Sequence, residues 1–463
     1  MTAPKDCAPG ALVGKPRKIK PFELPVHPGQ SASADDLATY AADKAASLNQ
    51  HVIGYGELAE REWEALGLGP PDLEAARRHR LFRIRRELAA RDLSGVVLYD
   101  PLNLRYATDS TNMQLWCAHN AVRYAFVATE GPVILWDFHH CEHLSRHLDT
   151  VDEIRHGTPW YYYLAGEHAT DRARRWSAEI AELVRSHGDG SRRLAIDRIN
   201  PEGVDALEAH GIAVVSGEEV MEHARAVKSP HELVAMRRAI AACEAAMGVM
   251  EGALRPGMTE NDLWAILHAE NIRRGGEWIE TRLLTSGPRT NPWFQECSAR
   301  VIENGDLVAF DTDLVGPYGY CCDISRTWLA GTGSATGEQR ALYGLAAEQI
   351  ARNMEILRPG VTFRDLSHSA TSLPAAYLAN RYSVLFHGVG LCDEYPSVPY
   401  PEDWDRAGYG GMLEAGMVIS VESYVGRLGG REGVKLEEQV LITETGHECL
   451  SGYPLDRRLG GTG

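Results

Sequence analysis

Six side chains of the types that bind divalent metal ions occupy five short segments in the last third of this 463-residue chain. They are Asp311 and Asp313 in FDTDL, Asp323 in CCDIS, His387 in FHGVG, Glu422 in SVESY and Glu437 in KLEEQ. Carboxylate oxygens together with one imidazole suit hard and borderline divalent cations. The sequence therefore predicts a dinuclear metal site, and the residues around it must decide its chemistry.

Hydrophobic periodicity predicts the elements of a first domain. The segment LEAARRHRLFRIRRELAARD is typical of an amphipathic helix, SGVVLYD of a buried strand, and AFVATEGPVILWD of a hairpin around Glu130 and Gly131. This alternation predicts an α/β domain with a covered sheet, which we assign to residues 73–226. Residues 1–72 are rich in Pro, Gly and Ala, and we interpret them as an N-terminal extension.

A second domain is predicted over residues 227–463. Its first helix carries three start signals: Ser229 as the N-cap, Pro230 at the first helical position and Glu232 at the capping-box position. These signals place the start of a long amphipathic helix directly after the first domain.

The metal-type residues would lie on the later elements of this second domain. The pattern predicts a helix after Thr259, one strand for the segment WIETRLLTSG, and a strand pair between Asp311 and Trp328. A helix over 337–357 and alternating strands after Val418 follow. Strands would therefore carry most of the candidate ligands.

Composition and charge argue against several partners. The net charge of −17 argues against nucleic acid or an anionic membrane, because phosphate binding needs clustered Lys and Arg. No stretch of about eighteen consecutive apolar residues occurs, and the first residues lack the apolar core of a secretory signal. Nine cysteines without a repeating spacing are typical of free thiols in a reducing compartment. We therefore expect a cytoplasmic protein.

The metal-bearing segments resemble those of the creatinase, prolidase and methionine-aminopeptidase superfamily. The resemblance extends over most of the chain and includes the phrases GVVLYDPLNLRYATD, KSPHEL, DTDLVGPYGYCCDISRTW, HGVGL, VES and KLEEQVLITETG. It implies an α/β (α+β) protein, with a creatinase-like N-terminal domain followed by a C-terminal pita-bread domain that holds two metal ions per subunit. It also implies a homodimer, in which the N-terminal domain of one subunit covers the active site of the other.

Three departures separate this chain from the peptidases of the superfamily. Asp323 follows Asp311 by twelve residues, one more than is usual, and Asp313 is an extra carboxylate. Asp393 and Trp293 stand where the peptidases have accessory histidines. A prolidase or creatinase type of metallohydrolase would need other residues for these roles, and it remains the alternative function, together with a binding protein on the same scaffold.

One branch, the dimethylsulfoniopropionate (DMSP) lyases of the DddP type, is similar in these departures. Its members cleave DMSP to dimethyl sulfide and acrylate. The resemblance implies the six metal ligands named above, Asp393 as the general base, and Tyr382 near the substrate. It also points to iron, while the ligand types suit Mn, Co, Ni and Zn as well.

The chemistry of this elimination agrees with the residues. The proton on the carbon next to the DMSP carboxylate is a weak acid until a Lewis acid neutralises that carboxylate. Asp393 could then remove the proton, with Glu394 as the alternative base. The positive sulfur favours aromatic faces, at roughly 0.5–2 kcal/mol per contact. The candidate aromatic residues are Tyr382, Trp293, Trp116, Tyr161, Tyr162 and Tyr163.

Overall fold

A computed structural model describes residues 53–139 and 141–460. These residues divide into two compact units, the first formed mainly by Asp72–Arg225 and the second by Tyr55–Pro71 together with the chain from Ala226 onward. Of the predicted N-terminal extension, residues 1–52 lie outside the described part. Residues 55–71, which contain helix α1 (Glu57–Ala65), belong to the second unit.

The first unit is built on a six-stranded mixed sheet with the strand order β4-β3-β2-β1-β5-β6. Its strands are β1 (Gly95–Leu98), β2 (Tyr124–Ala128), β3 (Val133–Asp137), β4 (Glu153–His156), β5 (Arg193–Ile196) and β6 (Ala213–Ser216). Its helices are α2 (Leu73–Ala90), α3 (Pro101–Thr108), α4 (Gln114–His119), α5 (Tyr162–Ala165), α6 (Ala169–His187), α7 (Pro201–Glu208) and α8 (Glu218–Ala226). The predicted helix, strand and hairpin are confirmed as α2, β1 and the antiparallel pair β2 and β3.

The second unit contains three sheets, with the orders β11-β10-β7, β12-β9-β8 and β14-β13-β15-β16-β17. Its strands are β7 (Trp278–Ile279), β8 (Leu284–Ser286), β9 (Leu307–Asp311), β10 (Leu314–Val315), β11 (Cys321–Cys322), β12 (Ser325–Leu329), β13 (Phe386–Val389), β14 (Asp393–Val398), β15 (Val418–Gly426), β16 (Gly433–Ile442) and β17 (His447–Cys449). Its further helices are α9 (Pro230–Ala253), α10 (Glu260–Arg273), α11 (Gly337–Glu355), α12 (Phe363–Ser369), α13 (Ala375–Leu378) and α14 (Trp404–Ala407).

Side-chain caps fix where the long helices of the second unit begin. The Ser229 hydroxyl accepts from the backbone N–H of Glu232, whose carboxylate in turn accepts from the N–H of Ser229. This reciprocal pair is the predicted capping box of α9, and Thr259 and Asp262 form the same arrangement at α10. Two of the free N–H groups at each helix start are thereby satisfied.

Helix α1 is part of the second unit because it packs on α9. The indole Nε1 of Trp63 donates to the carbonyl of Arg238 at 2.8 Å, and the Arg238 guanidinium lies 4.4 Å from the centre of the indole ring. Arg274 of the helix-end segment after α10 binds both carboxylate oxygens of Glu62 at 2.7 and 2.8 Å. These contacts bury Trp63 almost completely.

The segment WIETRLLTSG is not one strand, and that prediction was wrong. Trp278–Ile279 pairs with β10, whereas Leu284–Ser286 pairs with β9 in a different sheet. The change of sheet follows a break in the partner: β9 ends at Asp311 and β10 begins at Leu314, with Asp313 between them in the left-handed region at φ 35°. The chain is thus interrupted both between β9 and β10 and between β7 and β8. The Asp313 side chain lies at these interruptions, and its Oδ2 accepts from the Thr281 hydroxyl at 2.6 Å.

Strands β15 and β16 pair along their whole length and have two different faces, because strand side chains alternate. Val421, Val425 and Leu436 lie on one face and pack in the hydrophobic core beneath α11. Glu422 and Glu437 stand directly opposite each other on the other face. The sheet thus presents an acidic row backed by a rigid apolar layer.

Candidate metal centre

The six predicted ligand residues lie together in the second unit, and all six are buried. One group consists of Asp323, His387, Glu422 and Glu437, each with a ligand atom within 4.8 Å of the others. A second group, Asp311, Asp313 and Asp323, meets the same distance. Since Asp323 belongs to both groups, the cluster has the connectivity of two adjoining cation sites with a shared carboxylate.

Backbone pairing between neighbouring strands places most of these side chains. Asp311 ends β9 directly opposite Ser325 of β12, and Asp323 comes just before β12 begins. Strand β13 carries His387 and pairs with β15, which carries Glu422. Hydrogen bonds between strands therefore bring together ligands that are far apart in the sequence.

His387 is oriented for binding through Nε2. Its Nδ1 donates to the carbonyl of Gly388 at 3.2 Å. The Nε2 atom lies 3.3 Å from Glu422 Oε1, 3.4 Å from Asp323 Oδ2 and 3.7 Å from Glu437 Oε1. Engagement of the second ring nitrogen by a carbonyl is the usual arrangement of a metal-binding histidine.

Several carboxylate oxygens of the cluster have no donor. Within the described part of the chain, Asp311 Oδ1, Asp323 Oδ1 and Glu437 Oε1 are buried without a hydrogen-bond partner. A buried polar atom without a partner costs about 1–3 kcal/mol, and more when it is charged. Divalent cations would satisfy these oxygens, so the donor set fits two such ions.

The charges of the cluster displace the pKa values of its members. Burial and the neighbouring Glu437 raise the pKa of Asp311 to about 6 and that of Glu422 to about 7. Burial, with nearby carboxylates, raises the pKa values of Asp313 and Asp323 well above the ordinary range. These shifts are the response expected of crowded, buried acids.

The pKa values of two members of the cluster are shifted in the direction opposite to the one that burial alone would cause. Burial opposes ionisation of Glu437, yet Lys435 and His387 hold its pKa well below the ordinary value. Burial also opposes protonation of His387, but Asp393 and the contacts to Glu422 and Glu437 raise its pKa well above the usual range. Charge pairing therefore outweighs desolvation at both groups.

Lys435 is a buried cation within this cluster that the sequence analysis missed. Its Nζ lies 2.9 Å from Asp311 Oδ2, 2.6 Å from Glu422 Oε2 and 3.2 Å from Glu437 Oε2. A signal for it exists in the sequence, because a residue two positions before Glu437 on a strand must share its face.

The two candidate bases, Asp393 and Glu394, have different surroundings. Asp393 begins β14 with 52% of its side chain exposed, and its Oδ1 lies 3.8 Å from His387 Nδ1. Glu394 is buried and forms an ion pair with the buried Lys228. Because adjacent strand residues face opposite sides, only Asp393 points towards the histidine of the cluster.

Two of the predicted substrate aromatics adjoin the cluster. The Lys435 ammonium lies 4.6 Å from the ring centre of Tyr382 and 5.8 Å from that of Trp293. Phe294, which the sequence analysis missed, stacks on Tyr382 with ring centres 5.1 Å apart, and the residue is 57% exposed. Its backbone lies in the left-handed region at φ 68°, which is unusual for an aromatic residue.

The other candidate aromatics lie in the first unit. Trp116 of α4 contacts Phe138 and Tyr163, with ring centres 5.5 and 6.2 Å away. Tyr161 packs on the core residues Tyr99 and Trp160, whereas Tyr162 and Tyr163 are exposed. The second unit thus brings Tyr382 and Trp293 to the acidic cluster, and Trp116 is not among the residues it assembles there.

Known proteins resemble the chain along most of its length. The Creatinase/Prolidase N-terminal domain matches residues 80–227, and Metallopeptidase family M24 matches residues 234–444. A dimethylsulfoniopropionate lyase, DddP, of Roseovarius nubinhibens is 47% identical over 418 residues, which cover 89% of this chain and 94% of that protein. The chain belongs to the DddP branch of family M24. The DddP lyase of Roseobacter denitrificans is 46% identical over 419 residues, covering 89% of this chain and 94% of that protein.

Solved structures agree with an M24 fold. Dipeptidase PepE of Mycobacterium ulcerans superposes with a TM-score of 0.66 over 84% of this chain and 98% of that one. At 22% identity this likeness concerns the fold alone. The predicted α/β (α+β) architecture, a creatinase-like domain followed by a pita-bread domain, is confirmed.

Proposed function

We propose that this protein is a metal-dependent carbon–sulfur lyase that cleaves DMSP to dimethyl sulfide and acrylate. The observation that carries the proposal is the 47% identity to the Roseovarius DddP lyase over 94% of that protein. The buried acidic cluster supplies the kind of site that the reaction needs.

Two divalent ions would be held by the six clustered residues. Asp311, Asp313 and Asp323 would hold one ion, and Asp323, His387, Glu422 and Glu437 the other. When bound, the ions supply Lewis acidity that neutralises the substrate carboxylate and makes the adjacent C–H more acidic. We propose iron from the resemblance to the DddP lyases, while this donor set also suits Mn, Co, Ni and Zn.

Asp393 is proposed as the general base. Its carboxylate removes the proton from the carbon next to the substrate carboxylate, the electron pair forms the carbon–carbon double bond, and the carbon–sulfur bond breaks towards sulfur. The products are acrylate, dimethyl sulfide and a proton on Asp393, which the exposed carboxyl group can release to solvent. Glu394 is less suited to this role because its charge is already paired with Lys228 in the interior.

The sulfonium is proposed to bind at the aromatic side of the cluster. Tyr382 and Trp293 adjoin the acidic cluster, and aromatic rings beside carboxylates are suited to contact a positive group. Trp116 is proposed to contribute to the site of a partner subunit. In this arrangement the sulfonium and the carboxylate of DMSP would be held at opposite ends of the substrate.

We further propose a cytoplasmic homodimer. In the first unit, Met113, Leu115, Tyr162 and Tyr163 are large apolar residues exposed to solvent. Exposed apolar groups of this kind often mark protein interfaces.

None of the helices in the described ranges is long and apolar enough to cross a bilayer. Metal analysis and light scattering of the purified protein measure the metal and the subunit number.

The alternative function is a prolidase or creatinase type of metallohydrolase. Its support is the M24 fold, since dipeptidase PepE of Mycobacterium ulcerans shares that fold at 22% identity. Asp393 and Trp293 stand where such peptidases have histidines. The lyase is therefore the better-supported function.

The decisive experiment measures dimethyl sulfide by headspace gas chromatography after DMSP is added to purified, metal-analysed protein. Asp393→Asn should retain its metal and lose activity by roughly a hundredfold or more, because it removes the general base. Asp405→Asn makes the same change at an exposed carboxylate on α14 and should stay fully active.

Two results would contradict these assignments. An active, metal-loaded Asp393→Asn variant would exclude Asp393 as the base. A fully loaded wild type that releases no dimethyl sulfide would exclude the lyase function itself, and turnover of an Xaa-Pro dipeptide by that sample would favour the hydrolase.

A further inference from the structure

Lys435 is completely buried, and every contact of its ammonium group is with the acidic cluster or its neighbours. It shares the face of β16 that carries Glu437 and lies opposite Tyr424 of β15. Its side chain is 0% exposed. Fully buried lysines are rare unless they are paired, so a specific role is expected.

The ammonium binds one oxygen of each of three carboxylates. It contacts Asp311 Oδ2, Glu422 Oε2 and Glu437 Oε2. The other oxygen of each carboxylate does not contact the lysine. Asp311 Oδ1 and Glu437 Oε1 have no hydrogen-bond partner among the described residues, and Glu422 Oε1 lies 3.3 Å from His387 Nε2. The lysine therefore fixes the carboxylates without using the oxygens that face the proposed metal positions.

Ser325 also belongs to this network and links Lys435 to Glu437 through its hydroxyl group. Its hydroxyl donates to Glu437 Oε2 at 2.8 Å and accepts from Lys435 Nζ at 2.6 Å. Glu437 Oε2 thus accepts from two donors, and the Glu437 side chain is held from two strands. Such a network keeps the rotamers of the carboxylates defined before any ligand is bound.

Lys435 also contributes to the charge balance of the cluster. Five carboxylates, those of Asp311, Asp313, Asp323, Glu422 and Glu437, are buried within one site. Two divalent ions would bring four positive charges, and Lys435 brings the fifth. Without metals, the lysine is the cation that the chain itself places in hydrogen-bond contact with three of these carboxylates.

We propose that Lys435 is a positioning residue that serves as a permanent third cation of this centre. It holds Asp311, Glu422 and Glu437 in their binding positions and partly offsets their repulsion while the chain folds and before the ions arrive. The inference rests on the metal-binding part of the proposed function and is independent of the substrate. The rings of Tyr382 and Trp293 lie 4.6 and 5.8 Å from the ammonium and add cation–π contacts to it.

The test compares melting temperatures of the full-length protein in two forms, treated with chelator and loaded with manganese(II). In Lys435→Met the chelator-treated form should melt roughly 5–10 °C below the wild type, because removing one partner of a buried charge cluster leaves the others unpaired. The manganese-loaded form should lose much less, because bound ions neutralise the same carboxylates. The temperature gained on loading should therefore be larger than in the wild type.

Lys228→Met is the matched control. Lys228 is also buried and paired with one carboxylate, that of Glu394, which is not among the proposed ligands. Its replacement should lower the melting temperatures of both forms by the same amount. Lys435→Gln, which keeps hydrogen-bond donors but removes the charge, should behave like Lys435→Met with a smaller shift.

The melting temperatures of these variants distinguish a positioning lysine from a merely structural one. Equal losses in both forms of Lys435→Met and Lys435→Gln would show a merely structural lysine and overturn the proposal. A Lys435→Met protein that folds only when manganese is supplied would be the extreme form of the expected result, and failure of both variants to fold even with manganese would contradict it. A wild type without any thermal response to manganese would overturn the proposal together with the metal centre, whereas missing lyase activity in a responsive protein would affect the proposed function alone.

Discussion

The ring of Tyr382 has a cation and an aromatic residue as neighbours, and both bear on how a sulfonium could bind. The Lys435 ammonium is 4.6 Å from the ring centre, and Phe294 stacks at 5.1 Å with a large exposed surface. Burial and the nearby carboxylate of Glu422 raise the pKa of the Tyr382 hydroxyl far above its usual value. The side chain therefore acts as a neutral, polarisable surface beside the acidic cluster.

Replacing this ring should weaken substrate binding more than it slows the reaction. For Tyr382→Leu we expect the KM for DMSP to rise about 2- to 30-fold, which corresponds to the loss of one cation–π contact of roughly 0.5–2 kcal/mol. Tyr382→Phe keeps the ring and should resemble the wild type. Initial rates of dimethyl sulfide release over a range of DMSP concentrations measure both parameters. If Tyr382→Phe lost as much as Tyr382→Leu, the hydroxyl group rather than the ring would be the important part.

The hairpin of β13 and β14 carries both the histidine of the metal centre and the proposed base. The strands approach so closely that a Cβ on Gly388 would lie 2.8 Å from the carbonyl oxygen of Glu394, and closer still to that of Tyr395. A Cβ on Gly390 would collide with the Glu394 carboxylate. Glycine at both positions therefore allows His387 and Asp393 to face the same cluster.

Gly388→Ala should distort this hairpin. The clash is with backbone atoms, so we expect a loss of about 1–3 kcal/mol of stability and a reduced metal content, because His387 is the adjacent residue. Thermal unfolding and metal analysis measure the two effects. Gly344→Ala is the control: Gly344 is exposed within α11 with nothing within 4 Å of the added Cβ, and alanine there should be neutral or stabilising by about 0.5–1 kcal/mol. Equal metal content in the two variants would show that the hairpin tolerates a shift.

The sequence predicted those elements whose signals are local. The capping box of Ser229 and Glu232 and the hairpin around Gly131 depend on residues within a few positions of each other, and both are confirmed. Strand alternation requires the adjacent residues Glu437 and Glu438 to face opposite sides. In the structure Glu437 contacts Lys435, whereas Glu438 pairs with Arg326.

The contacts that depend on register between distant strands could not be predicted. Lys435 meets Asp311 across 124 positions of sequence, and Lys228 meets Glu394 across 166 positions. Similarly, the change of sheet within WIETRLLTSG follows from the interruption between β9 and β10. That interruption cannot be predicted from the residues of WIETRLLTSG themselves. Periodicity describes one strand at a time, whereas these features belong to the assembled sheets.

The buried acids should make the stability of the metal-free protein depend on pH. Asp311 has a pKa of about 6 and Glu422 of about 7 in the folded state, against ordinary values of 3.8 and 4.5. A raised folded-state pKa means that the folded chain binds more protons than the unfolded chain between these values. The stability from these groups is therefore present at low pH and lost as pH rises through about 6–7.

Metal binding should reverse this trend, because bound ions require the ionised carboxylates. We expect the melting-temperature difference between loaded and metal-free protein to grow from about pH 5 to about pH 7.5. Scanning fluorimetry of both forms across this range measures the difference. Glu422→Gln removes one of the acids with a raised pKa and should flatten the pH dependence of the metal-free form. A difference that is constant with pH would contradict the shifted pKa values.

The second unit is discontinuous in sequence, and this has a consequence for the time course of synthesis. Trp63 of α1 packs on Arg238 of α9, and 175 positions separate the two residues. At about 5–20 residues per second, a ribosome needs roughly 9–35 s to make this stretch. During that interval α1 has been synthesised and its partner helix has not. The assembly of the second unit is therefore delayed until the whole of the first unit has been translated.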